Sequence, residues 1–172
     1  MVIRLTKRSL KWLYPFTFFL KDDGGLIIRG DSDVQYREGS IELRGLTHNL
    51  SIPTDSATGK LTGTRKHAPF LFEKEIDSSS PYLYKAVATG QTLQSAEFKF
   101  YNINDAGQEE EYFNILLAGV KVVSISPHVH DTRKITDIGH MESVQLRYER
   151  ITWKIVDGNI QYTDSWNERL TS

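Results

Sequence analysis

Five histidines and no cysteine set the metal chemistry open to this chain. His128-Val129-His130-Asp131 places two imidazoles on one side of an extended segment, with His140 nine residues beyond Asp131. Zinc accepts His and Asp ligands, but a catalytic site needs three of them, held by oriented partners. No second ligand cluster with metal-site spacing follows, and the H-x-H-x-D-H pattern of metallohydrolases is absent. The expectation is solvated loop histidines and no metal. Ser78-Ser79-Ser80 could supply a nucleophile, yet no G-x-S-x-G elbow surrounds it, and helix capping explains these serines. Glu109-Glu110-Glu111 would point to alternating faces of a strand, which makes a poor acid–base pair. Gly59-Lys60 in TGKLTGT lacks the spacing of a phosphate loop and opens no helix. Asn49-Leu50-Ser51 matches a glycosylation acceptor but lies inside an apparent strand. No catalytic residue and no cofactor are therefore assigned.

Composition narrows the classes further. A chain of 172 residues suits one domain, able to bury about 70% of its unfolded surface. Lys and Arg number 21 against 22 Asp and Glu, so no nucleic-acid partner is implied by total charge. Without cysteine the fold is independent of redox compartment. No run reaches the length of a membrane span, so no stable membrane insertion is expected. Trp12 to Leu20 is apolar and follows Arg4, Lys7, Arg8 and Lys11, much as in a signal peptide. It is short, broken by Pro15, lacks a small-residue cleavage site and runs straight into Lys21-Asp22-Asp23. Phe16 to Lys21 is better read as a first strand. Residues 1–15 then form a basic extension, and residues 16–172 one domain.

The elements that position these residues are mostly strands. Phe16, Phe18 and Leu20 alternate with Thr17, Phe19 and Lys21. Ile41 to Ile52 reads as a longer strand ended by Pro53. Thr54 to Gly63 is polar and glycine-bearing, a loop by composition. Arg65 to Ile76 resumes strand character with a break at Pro69. Ser79 or Ser80, Pro81 and Gly90 bracket a single helix, with Leu83, Ala86 and Val87 on its apolar stripe. Ala96, Phe98 and Phe100 lead through the turn Asn104–Gly107 into a strand from Glu110 to Ile125, which makes a hairpin. Its second arm is apolar on both faces at Ile115, Leu116, Leu117, Val120, Val122 and Val123. A strand of that kind lies between the core and another layer, either the helix or a neighbouring subunit. Ile115, Leu117 and Val123 are the candidate interface residues. Pro127 to His140 reads as a polar loop.

The end of the chain, ESVQLRYERITWKIVDGNIQYTDSW from Glu142 to Trp166, reads as a strand, a turn at Asp157-Gly158-Asn159 and a returning strand. Its apolar alternation runs Val144, Leu146, Tyr148 and then shifts phase to Ile151, Trp153, Ile155. A shift means a bulge or face exchange near Glu149-Arg150, the kind of bend that closes a sheet. The fold class is therefore mainly β: a small antiparallel β-barrel, or two packed sheets, with one α-helix. Most aromatics are assigned to its core.

This C-terminal hairpin resembles that of the haemolysin-coregulated protein (Hcp) family, the tube subunit of type VI secretion systems. The run EGSIELRGLTHNLSIPTDSATGKLTGTRKHAPFLFEKEIDSSSPYLYKAVATGQTLQSAEFKFYNINDAGQEEEYFNILLAGVKV, from Glu38 to Val122, follows the family in order and spacing. The likeness covers roughly Phe16 onward and departs from it before that. It implies a structural protein without enzymatic activity. Six subunits would form a ring, and rings would stack into a tube expelled by a contractile sheath behind a spike protein, with effector proteins carried in the lumen. It also implies a cytoplasmic start and export without a cleaved signal peptide. The family projects an extended loop towards the adjacent ring, which here falls on Pro53 to Thr64 and singles out Pro53, Thr54, Asp55, Thr58, Gly59, Lys60 and Leu61. The contrasting reading is a monomeric β-barrel module for a small ligand or glycan. Oligomeric mass separates the two.

Overall fold

The computed structural model describes residues 15–131 and 139–166. The basic extension falls almost wholly outside the described residues. Among the described residues, eleven strands and one helix follow in order: β1 Phe16–Lys21, β2 Ile27–Ile28, β3 Ile41–Thr47, β4 Leu50–Ser51, β5 Lys66–His67, β6 Phe70–Glu75, α1 Ser80–Thr89, β7 Thr92–Ile103, β8 Glu109–His128, β9 Met141–Arg147, β10 Arg150–Ile155 and β11 Ile160–Ser165. A 3-10 turn at Asp157–Asn159 joins the last two.

Six antiparallel strands close a barrel in the order β8-β7-β1-β3-β6-β9, with β9 returning to β8. Closure removes the sheet edges that would otherwise invite wrong pairing. Strand β8 makes it possible. At 20 residues it pairs with β7 along one edge and with two successive partners along the other. Its first half carries β10 from Phe113 to Ala118, and its second carries β9 from Lys121 to His128. The change of partner falls at Gly119, whose φ of 61° suits glycine. The phase shift expected near Glu149-Arg150 is the same event seen from the partner strand. Tyr148 and Glu149 lie between β9 and β10, and the Glu149 N–H donates to the Ala118 carbonyl at 3.0 Å.

Phe18, Phe70, Phe72 and Phe98 fill the barrel, with centroids 4.5–5.8 Å apart. Offset and tilted pairs of this kind add to the burial of their area. The helix lays Leu83 and Ala86 into this core and packs on β8. Gly90 adopts the left-handed conformation that ends it.

Three boundaries differ from the sequence reading. The strand expected from Ile41 to Ile52 divides at His48-Asn49 into β3 and β4. Strand β8 runs three residues past Ile125, so Pro127 and His128 are paired with Glu142 and Met141 and do not start the loop. Ser79 takes the helix N-cap position but its side chain makes no capping bond. Its Oγ donates instead to Asp77 Oδ1 at 2.5 Å, and its N–H donates to the same oxygen at 2.9 Å.

Candidate functional site: a projecting arm and its buried anchor

Between His48 and His67 the chain leaves the barrel as an ordered arm. Strands β4 and β5 form its base, with Leu50 opposite His67 and Ser51 opposite Lys66. Further out, Thr54 bridges Leu61, and the Thr62 N–H donates to the Pro53 carbonyl at 2.9 Å. The tip is built on Asp55. Its Oδ1 accepts from Ala57 N–H, Thr58 N–H and Thr58 Oγ1 at 3.0, 2.7 and 2.8 Å. Those bonds, led by that from the Thr58 backbone, hold the Asp55 carboxyl below its ordinary pKa. Gly59 closes the turn at φ 70° with open space around it. Composition had marked this stretch as a loop; short-range hydrogen bonds make it a hairpin-like arm. Pro53, Thr54, Asp55, Thr58, Gly59, Lys60 and Leu61 all sit on it. Leu50, Ile52 and Leu61 present exposed apolar surface, Leu61 at 66%.

The arm is fastened by a polar chain that sequence reasoning did not isolate. His48 Nε2 lies 2.7 Å from Tyr148 Oη, which lies 2.8 Å from His67 Nδ1. His67 Nε2 is 2.9 Å from Asp164 Oδ2. Arg65 Nε donates to that same oxygen at 2.5 Å, and its Nη2 donates to the Ser165 carbonyl at 2.8 Å. Arg147 donates to the His67 carbonyl at 3.0 Å and lies over the Trp166 ring. His67, Tyr148 and Asp164 are buried. Burial, with help from Asp164, raises the Tyr148 hydroxyl well above the usual phenol range. Burial would raise Asp164 too, but the bonds from Arg65 and His67 hold it below its ordinary value. The chain joins both ends of the arm to the β9–β10 junction and to β11. Four separate stretches of sequence contribute, and no local motif marks them. The hint available was Tyr148, which continues the inward phase of Val144 and Leu146.

A second buried polar group anchors the helix. Lys74 and Glu142 are fully buried and 2.6 Å apart, across the β6–β9 pair. Lys74 Nζ also reaches Asp77 Oδ1 at 2.9 Å and the Glu75 carbonyl at 2.7 Å, and Ser80 Oγ donates to Glu142 at 2.7 Å. Buried ions of opposite sign survive only when so surrounded.

The other side chains weighed for chemistry lie apart. His128 ends β8, its ring 5.4 Å from that of His130, and among the described residues no three ligating side chains gather. Glu109 pairs with Arg37 at 2.8 Å, while Glu111 pairs with Lys99 at 3.3 Å. The interface assignment on β8 needs correction. Ile115 and Leu117 are 5% and 0% exposed, inside the chain's own core, so they cannot touch a neighbour. Only Val123, at 46%, faces outward. The double apolar pattern arose because Leu116 and Val123 alternate with core residues on one strand. Apolar surface lies elsewhere, on the β10–β11 hairpin beyond the closed barrel. The register sets Phe18, Phe98, Ile115, Trp153 and Tyr162 in one row, and Phe16, Phe100, Phe113, Ile155 and Ile160 in the next. Each row starts in or against the core and runs outward, ending at exposed Tyr162 and at Ile160, which is 68% exposed.

A closed six-stranded barrel with one helix, a projecting arm and an overhanging apolar hairpin carries surfaces for contacts between proteins. Comparison with known proteins gives the class its family. Residues 19–155 match the family model described as type VI secretion system effector, Hcp, and the chain belongs to that family of tube and effector proteins. The major exported protein of Pseudomonas aeruginosa is 29% identical over 139 residues, which is 80% of this chain and 81% of that one. A doubly tryptophan-substituted Hcp1 protein of E. coli EAEC 042 is 63% identical, with a TM-score of 0.81 over 88% of this chain and 98% of that one. The secreted protein Hcp3 of Pseudomonas aeruginosa shares the fold at 22% identity, with a TM-score of 0.74 over 90% and 99%.

Proposed function

We propose that six copies of this chain close a ring, and that rings stack through the arm into an expelled tube. The observation that carries this reading is the arm: ordered by its own hydrogen bonds, it projects beyond a complete barrel with Leu50, Ile52 and Leu61 uncovered. A closed ring needs two different, complementary side surfaces. The outer β10–β11 hairpin, with Ile155, Ile160 and Tyr162, supplies one in place of Ile115 and Leu117. Val123 stays a candidate for another. The subunit catalyses no reaction, uses no cofactor and carries effector proteins in the ring lumen. A spike protein and a contractile sheath are its partners. It waits in the cytoplasm and leaves without losing a signal peptide; the relative's name, major exported protein, supports the export.

Size-exclusion chromatography with light scattering should give about six times the chain mass, a closed symmetric assembly. Replacing Thr54–Leu61 with a Gly-Ser linker should keep the ring and shorten the tubes. Ile160→Asp with Tyr162→Asp should dissociate the ring. A monomer at high micromolar concentration would sink the ring reading. Loss of ring mass on arm replacement would place the arm at the side interface.

A further inference from the structure

The arm's anchor is a chain of side chains joined end to end by hydrogen bonds. Asp164 is ionised and can only accept, so His67 Nε2 donates to it. Tyr148 Oη sits between His67 Nδ1 and His48 Nε2 and can donate to one imidazole nitrogen while accepting from the other.

We propose that the His48–Tyr148–His67–Asp164 chain is an acid-released latch that holds the arm's base in its stacking geometry. His48 is the trigger. Its ring stacks on Phe70 at 5.1 Å and faces Trp153 at 6.4 Å, and the described residues give it no carboxylate partner. The groups facing the chain are His67 and Arg65 on the β5 side, Arg147 and Tyr148 at the β9–β10 junction, and Asp164 on β11. Of these only Asp164 is negative, and Arg65 and His67 already occupy it. A second proton on His48 therefore makes a half-buried cation beside a second imidazole, with ring centroids 6.4 Å apart.

Burial first, and then His67, set the His48 pKa below its ordinary 6.5. The sign follows by linkage. A released, solvated His48 binds its proton more readily than the latched one. The closed state thus keeps its full advantage above pH 6.5 and loses it as pH falls below that value. One proton changes the open population by up to about tenfold per pH unit.

This inference rests on the proposed role of the arm in stacking, and the test separates the two. Hydrogen exchange on full-length rings, corrected for intrinsic rates, would follow the arm amides of Asp55, Thr62 and Ala68, each bonded within the arm or to its base. Between pH 7.5 and pH 5.0 their protection should fall, by up to about tenfold per pH unit below 6.5, while Phe98 and Leu117 in the core stay unchanged. His48→Gln keeps an N–H for Tyr148 but cannot titrate, so its arm protection should be flat across the two pH values. Tyr148→Phe should give low arm protection at both. Arm protection that ignores pH in the unaltered protein, or a fall that persists in His48→Gln, would overturn the latch. Negative-stain tube lengths at the same two pH values complete the test. An arm that opens in acid without shortening the tubes counts against stacking through the arm and leaves the latch standing.

Discussion

The barrel core and the arm's anchor solve the same problem, holding distant strands together, by opposite means. In the barrel, Phe18, Phe70, Phe72 and Phe98 bury apolar area against one another. That attraction is non-directional, so many side chains of the right volume would serve. In the anchor, Tyr148, His67, Asp164 and Arg65 hold β5 to the C-terminal hairpin through hydrogen bonds that each need one partner at one angle. The core is robust to chemistry and sensitive to volume. The anchor is the reverse. Under the stacking proposed above, a tube subunit gains from the difference, because its barrel would have to survive export while its arm met another ring.

The contrast predicts the size of the damage from each kind of change. Phe98→Ala, at the centre of the four-phenylalanine cluster, should cost about 3–5 kcal/mol, read from the midpoint of urea unfolding. Lys74→Met should cost a similar amount, about 3–5 kcal/mol, because it strands buried Glu142. Adding Glu142→Leu should return most of that loss in a double-mutant cycle. A double mutant as weak as the single would show that the pair's geometry matters more than its desolvation.

Smaller effects test the anchor itself. Tyr148→Phe should cost about 1–3 kcal/mol, since it leaves a buried His67 nitrogen unmet. Its stability profile should also change with pH. In the unaltered protein His48 lowers stability as pH drops below 6.5, and Asp164, held below its ordinary 3.8, gives up its contribution only in stronger acid. Two separate acid steps in thermal unfolding would match this order; a single step near pH 4 would assign the whole response to carboxylates. Smallest of all, His128→Ala, His130→Ala and His140→Ala together should shift stability by less than about 0.5 kcal/mol each, with no response to zinc. A melting temperature restored by zinc would bring a metal site back.

How much of this was legible in the sequence depended on the range of the interaction. Period-two alternation located β1, β7 and β9, and proline, serine and glycine bracketed the helix, because those signals act over a few residues. The run on β8 was read as apolar on both faces, and two of its three interface candidates turned out to face the core. Ile115 and Leu117 share a strand with outward Leu116 and Val123, and only a partner across the barrel decides which face is the core. The phase shift after Tyr148 was visible too, although its cause, one long strand changing partners at Gly119, was not.

By itself, then, the sequence determined a mainly β domain with one helix, without cysteine chemistry or a strong charge for nucleic acid, and with family membership carried along most of its length. Composition, short-range periodicity and turn residues suffice for that. The tertiary structure alone decided that the stretch from Pro53 to Thr64 is an ordered arm, that Lys74 and Glu142 meet in the dark, and that His48, His67, Tyr148 and Asp164 form one hydrogen-bonded chain. Those partners lie up to about a hundred residues apart in sequence, with His48 and Tyr148 separated by 100. Directional bonds over such distances leave no local periodicity, because their residues are selected by a place in space that exists only after the barrel has closed.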